Sequence, residues 1–449
     1  MSLDAPTSDP SPHGAAPEQA PAPASFTEDT SLTNQFGERR FVDKLGWFGP
    51  VNMLMILGAT IPTGAVASLM AYTFTVTLPE ADANTAIGTA NVCGALAGAL
   101  GAVLGGNFSD HTRTRLGRRN PWIIFGALFA AACVLTLPLA SFALVWPAVL
   151  LFCGFQIGLN IMLSSYYALL PDRVSSRLMG RASAWASMGT LLGNALAGIV
   201  TSVLVSTFGA SDLAGAFTLV PWTMVLMMGV VVLALPGARL SRDPGEARPG
   251  ARELLAGFRP PKDRQFWYVY LGRLVFMVGL MLLVQTQAQQ LVYHFRLPLE
   301  TAASIGALLG IVLAVVSLAS TIIAGPLSDK LRRRRAPAMV SAVIFALSTL
   351  VLLLSEDPWV LFVNVALAAF AFGAFSSVDQ ALMVEILPDK ETAARDLGVL
   401  NTTNTLSGVI GGGLGALLIG TVGYHGLFLT AGALALLCIA FFLPITRVR

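Results

Sequence analysis

Residues 105–122 read GGNFSDHTRTRLGRRNPW, and residues 324–339 read AGPLSDKLRRRRAPAM. Both follow a long apolar run, and both turn basic after a Gly-x-x-Ser-Asp step. Laying Asp110 on Asp329 sets the copies 219 residues apart. A second landmark agrees: ALLPDRV (168–174) and EILPDKE (385–391) lie 217 residues apart. Each of these leads through an arginine into a glycine-rich stretch, GTLLGNALAG (189–198) or SGVIGGGLGA (407–416). Two landmarks at nearly one spacing mark an internal duplication. Apolar runs repeated this way, with basic connections between them, are the pattern of a membrane protein built from two related halves.

Composition agrees with that reading. Apolar residues make up 55% of the 449, charged residues only 12%, and the mean hydropathy is +0.71. A water-soluble domain carries roughly a quarter charged residues, so the missing polar surface implies lipid as the solvent. A spanning helix needs about 20 mostly apolar residues. Twelve runs qualify: 47–72, 84–106, 121–141, 145–169, 182–207 and 216–236, then 265–293, 301–325, 337–355, 358–384, 397–420 and 424–444.

Basic residues test the count independently. With the N-terminus inside, all 28 lysines and arginines except Arg273 and Arg296 fall on the tails and the even-numbered connections. The other connections carry Glu80, Asp82, Asp212, Glu356 and Asp357. This is the positive-inside pattern, and it predicts a multi-pass protein of the cell membrane with both termini cytoplasmic. The expected fold is all-α: twelve transmembrane helices in two pseudo-symmetric six-helix bundles, 45–236 and 265–449, joined by a cytoplasmic linker at 237–264. Residues 1–44, rich in Pro, Ala and Ser, read as a disordered cytoplasmic tail.

Several function classes drop out. A net charge of +3 is too small to argue for nucleic acid. The four cysteines lie in apolar stretches without a CxxC spacing, and the four histidines are scattered, so neither a metal nor a cofactor is expected. There is no P-loop, HExxH or nucleophile elbow, which argues against an enzyme.

The G-x-x-S-D-x6-G-R-R pattern at 106–119, with its echo at 325–335, resembles the signature loop of the major facilitator superfamily. The long form SDHTRTRLGRRNPW, with YYALLPDRV (166–174) and VDQALMVEILPD running into RDLGVLN (378–401), is similar to the glycoside–pentoside–hexuronide and sucrose-symporter-like branches. The resemblance implies a secondary transporter that takes up a sugar or glycoside with protons or sodium, usually as a monomer. It places spans one, four, seven and ten around a central cavity. It also casts Gly106, Asp110, Arg113 and Arg118, with Gly325, Asp329 and Arg333 in the echo, as gating-loop residues. Gly106 would let span two end packed closely on a neighbour, and Asp110 would cap a helix N-terminus or pair with Arg113 or Arg118. For Arg115 and Arg119 a purely topological role is the simpler reading. Sodium-coupled melibiose-type members carry acidic residues in spans one, two and four. Those runs hold none here, so proton coupling through the second half fits better.

A charge in hydrocarbon costs about 2.5–3.5 kcal/mol even on lenient insertion scales. Arg273 in span seven and Asp379 in span ten are the two that need a reason, and they lie at matching depth. Asp379 is the candidate proton-coupling carboxylate, Arg273 its gating partner and Glu385 the second candidate. Movement of the guanidinium would switch proton affinity; a static pair and a snorkelling arginine are the competing readings. Amides suit a polyhydroxylated solute because they both donate and accept. Gln156, Asn160 and Tyr167 on span four, Gln285 and Gln289 on span seven, and Asn52 and Asn194 are therefore the candidate substrate-binding residues. Helix–helix hydrogen bonding is their alternative role. Together these point to proton-coupled sugar or glycoside uptake, with a proton-driven exporter of drugs or metabolites as the alternative.

Overall fold

The helices run long because little in the apolar stretches interrupts them. The computed structural model describes residues 44–46, 48–112, 114, 119–140, 142–168, 174, 178–222, 224, 263–331, 335–386 and 393–445. A first set of long helices comprises α1 (Phe48–Thr77), α2 (Glu80–His111), α3 (Asn120–Thr136), α4 (Trp146–Tyr167) and α5 (Met179–Phe208). A second set comprises α6 (Arg264–Gln285), α7 (Leu299–Leu331), α8 (Arg335–Val351), α9 (Trp359–Glu385) and α10 (Ala393–Phe442). Among the described residues, nine helices are long and apolar enough to cross a membrane, and Leu213–Trp222 and the 17-residue α8 are shorter apolar helices. Local signals set several starts. Proline occupies the first turn of α3 and α4, where its missing N–H costs nothing. Asp263 caps α6 by accepting from the Gln265 backbone N–H at 2.8 Å.

Several boundaries differ from the sequence reading, and four of the differences bear on the site. α2 begins at Glu80 and takes Glu80 and Asp82 into its first turn, where acidic groups face the positive end of the helix dipole. The same helix continues to His111, so the first part of the signature loop is helical. α6 stops at Gln285, and the chain goes on through a turn at Gln287–Gln289 and a π-turn at Gln290–His294. The last two runs form one element, broken at Gly423 (φ 72°, ψ −174°), a left-handed conformation that favours glycine. Residues 1–43, most of the linker, and the sixth run beyond 224 lie outside the described residues.

The contacts repeat as the sequence does. α1 packs on α5 while α2 and α3 pack on α4; α6 packs on α10 while α7 and α8 pack on α9. Small residues set the spacing. A Cβ at Gly158 of α4 would lie 2.7 Å from Gly126 O and 2.8 Å from Ala130 N of α3, and one at Gly126 would lie 2.5 Å from Gly158 O. Lipid tails are as apolar as leucine, so close backbone approach takes over from hydrophobic burial as the packing force. The outward faces accordingly carry exposed apolar side chains, among them Val103, Leu150, Val315, Ile322 and Leu417.

The two sets meet toward one end, marked here by Tyr293. Tyr293 Oη donates to Thr75 O at 3.2 Å, Ser202 Oγ lies 3.2 Å from Ser304 Oγ, and Asn91 Nδ2 reaches Gln285 O at 3.5 Å. Gly88 of α2 faces Ala416 of α10, and Gly198 of α5 faces Ala307 of α7. The opposite end is marked by Arg119.

Candidate functional site

Arg273 and Asp379 meet. Arg273 Nε lies 3.1 Å from Asp379 Oδ2, and the two side chains are only 3% exposed. The guanidinium is held from a third element as well. Nη1 donates to Leu400 O at 3.1 Å, and Nη2 donates to Asn404 Oδ1 at 3.1 Å, both on α10. Nη1 also contacts Met383 Sδ of α9 at 2.8 Å. Asp379 is less well held. Among the described residues its Oδ1 has no hydrogen-bond partner, and the Nε–Oδ2 approach is close in distance but poorly aligned as a hydrogen bond.

Local sequence explains this placement. Phe276 lies three residues after Arg273, and Phe375 lies four before Asp379, so each ring stands one turn from its charge on the Tyr293 side. The two rings stack at 4.1 Å, and they close the pair off from that side. α6 and α10 are further tied by Tyr270 Oη to Thr402 Oγ1 at 3.0 Å and by Gln285 Nε2 to Gly408 O at 2.7 Å. Asn404 and Thr402 were not singled out by the sequence. A buried guanidinium needs several acceptors, and that was the available signal.

The first set carries a neutral counterpart. An offset of 217 brings Tyr166 onto Met383, and one of 218 brings Ala182 onto Leu400. There Asn52 Nδ2 donates to Ala182 O at 2.7 Å, and Tyr166 Oη reaches Asn52 O at 3.4 Å. Asn52 is buried and ties α1 to α5.

The remaining amides are dispersed. Asn160 Nδ2 donates to Gln156 O at 2.9 Å within α4, and Gln156 Oε1 is buried without a partner among the described residues. Tyr167 and Asn194 are exposed. Gln285 is engaged with α10. Gln289 is buried, and among the described residues neither its Nε2 nor its Oε1 has a partner.

At the Arg119 end the signature loop differs from expectation in two respects. A Cβ at Gly106 would meet nothing within 4 Å; the close approach belongs to Gly105, which abuts Ile161 and Ser164 of α4. One residue is about 100° of helix rotation, enough to turn Gly106 away from that neighbour. Arg119, expected to do no more than fix topology, is buried and donates from Nη1 to Ser109 Oγ at 2.7 Å. Trp122 Nε1 likewise donates to Thr112 Oγ1 at 2.6 Å, folding the loop back on its helix. Asp110 is the last residue but one of α2, Gly325 and Asp329 lie late in α7, and Glu385 ends α9. The surroundings of these four, like Arg113, Arg118 and Arg333 altogether, lie outside the described residues.

At the opposite end His294 contacts Tyr424, His425 and Phe428, at ring distances of 5.1, 5.5 and 5.4 Å. Burial pushes its imidazole below the ordinary value, His425 adds to the shift, and Glu356 opposes it.

The profile of the family described as MFS/sugar transport protein matches residues 83–435. The chain belongs to that family. As a member of the superfamily, it is a membrane transport protein in fold and relationship. No curated protein matches the sequence. Among solved structures it is similar to a bacterial homologue of the human lysosomal transporter Spinster, inward-facing and occupied. That match has a TM-score of 0.65 at 17% identity, covering 91% of this chain and 98% of the other. It is also similar to a D-xylose–proton symporter (TM-score 0.63, 16% identity, 89% and 98% covered). A point variant of the nucleoside transporter NupG is similar too (TM-score 0.69, 15% identity, 88% and 98% covered). At these identities the likeness is one of fold.

Proposed function

We propose that this MFS protein is a secondary active transporter that works by alternating access and takes up a sugar or glycoside together with protons. In this reading, residues 45–236 and 265–449 are two six-helix bundles that rock against each other around a central site. The Tyr293 end faces outward, the Arg119 end faces the cytoplasm, and the protein acts as a monomer in the cell membrane. The family relationship and the fold shared with a D-xylose–proton symporter favour a sugar-type solute.

The observation that carries proton coupling is the unequal holding of the buried pair. Arg273 keeps Leu400 O and Asn404 when the carboxylate is neutralised, whereas Asp379 leans on the arginine alone among the described residues. Removing one member of a buried ion pair is costly because it strands the other charge. Here Leu400 O and Asn404 Oδ1 would go on solvating the guanidinium, which lowers that cost and lets Asp379 gain and lose a proton while its partner stays in place.

The test is uptake of labelled mono- and disaccharides into proteoliposomes, with and without an inward proton gradient. Gradient-driven accumulation of a sugar is expected in the native protein, and its loss is expected in Asp379→Asn, with gradient-independent exchange retained. Accumulation that survives Asp379→Asn removes the coupling role. A folded, inserted protein that accumulates no sugar removes the uptake reading.

A further inference from the structure

The pair of Arg273 and Asp379 is only half made. A guanidinium grips a carboxylate best as a fork, with two parallel N–H groups on the two oxygens. On the edge that Arg273 turns to Asp379, that fork consists of Nε and Nη2. Nε lies 3.1 Å from Asp379 Oδ2, but Nη2 donates to Asn404 Oδ1 at 3.1 Å. Asp379 Oδ1 is left without a hydrogen-bond partner among the described residues. Asn404 therefore holds the nitrogen that would complete the fork.

The first set of helices shows which of these bonds the fold itself requires. An offset of 221 carries Asn52 onto Arg273 and Gly58 onto Gly279. Asn52 Nδ2 donates to Ala182 O, and Arg273 Nη1 donates to Leu400 O, the counterpart of Ala182 at an offset of 218. One bond between helices is thus kept in both copies. The Asn404 bond is not kept. Its counterpart at the 218 offset is Ala186, and that of Asp379 at 217 is Met162. The acceptor for Nη2 stands only in the copy that also carries the carboxylate. Nor is it needed to join α6 to α10, which Leu400 O, Thr402 and Gly408 already tie. Asn404 is exposed while the pair is buried, so its side chain fills no core space.

Charge around Asp379 is otherwise sparse. Among the described residues, Arg273 of α6 and the Cys438 thiol of α10 are the titratable groups that face it. α7 and α8 also pack on α9 and bring no further charge to it.

We propose that Asn404 is a positioning residue for proton exchange: by holding Nη2 it keeps the Arg273–Asp379 contact single and the carboxylate protonatable. This rests on the coupling reading above and assigns the residue that tunes it. Without the amide oxygen, Nη2 turns to Asp379 Oδ1, completes the fork and stabilises the ionised carboxylate. A carboxylate at position 404 does the reverse, because it takes Nη2 more firmly and sets a second negative charge nearby.

The experiment follows the infrared C=O band of protonated Asp379 against pH in the reconstituted full-length protein. The band is identified by its absence from Asp379→Asn. In Asn404→Leu the pH at which half the band is lost is expected to fall by about one unit, the worth of one added charge-assisted hydrogen bond. In Asn404→Asp it is expected to rise. The pH of half-maximal sugar uptake in proteoliposomes moves with it in both variants. A purely structural role would not move the two variants in opposite directions. An unmoved midpoint in folded Asn404→Leu overturns the proposal, as does a shift of both variants the same way. If Asn404→Leu does not fold, Asn404→Asp decides alone, and a midpoint that stays or falls overturns it. Midpoints that move as expected while uptake ignores pH sink the coupling reading and leave the role of Asn404 standing. If no band distinguishes Asp379→Asn from the native protein, both fall.

Discussion

Arg273 shows how much a single residue demands of its surroundings. A guanidinium in hydrocarbon presents five donors, and here two helices answer α6: Asp379 and Met383 from α9, with Leu400 O and Asn404 from α10. Arg273→Met leaves Asp379 buried without its cation and is expected to lower stability by about 3–5 kcal/mol. Adding Asp379→Asn should recover much of that loss, because the stranded charge is removed. The double variant is expected to melt nearer the native protein in detergent than Arg273→Met does, yet to drive no accumulation under a proton gradient. A double variant no more stable than the single one would show that the pair does not act as a unit. The pair itself was legible, because an intramembrane charge requires a partner and both charges sat at matching depth. Asn404 was not, since the face that α10 turns toward α6 is set by packing.

At the scale of the helix, glycine positions decide which pairs can touch. Gly126 and Gly158 bring α3 and α4 into backbone contact, whereas Gly106 opens onto nothing within 4 Å. Gly158→Val should force the two helices apart and cost about 1–3 kcal/mol, while Gly106→Ala should leave the melting temperature in detergent nearly unchanged. Equal losses at the two sites would remove this account of the packing. Small-residue runs were visible in the sequence. Which glycine faces a neighbour depends on helix rotation, and a one-residue error moved the expected contact from Gly105 to Gly106.

For the whole molecule, the bonds that join the first set of helices to the second lie toward the Tyr293 end among the described residues. That is the arrangement of a transporter closed at one face. Ser202 and Ser304, whose hydroxyl oxygens lie 3.2 Å apart, join α5 to α7 there. Replacing both by cysteine and oxidising should lock that face. Transport is expected to stop on oxidation and to return on reduction, with either single variant unaffected. Undiminished transport by a fully cross-linked protein would argue against rocking of the two sets.

The sequence alone determined the lipid solvent, the duplication, the places where helices run and the need for Arg273 and Asp379 to find each other. Each follows from local composition or from the cost of burying charge, neither of which needs a third dimension. Tertiary structure decided what depends on helix rotation and on contacts between distant segments. It turned Asn52 and Gln285 into ties between helices and buried Arg119 against Ser109. An amide reads the same in a sequence whether it faces a neighbouring helix or a cavity, and only packing distinguishes the two.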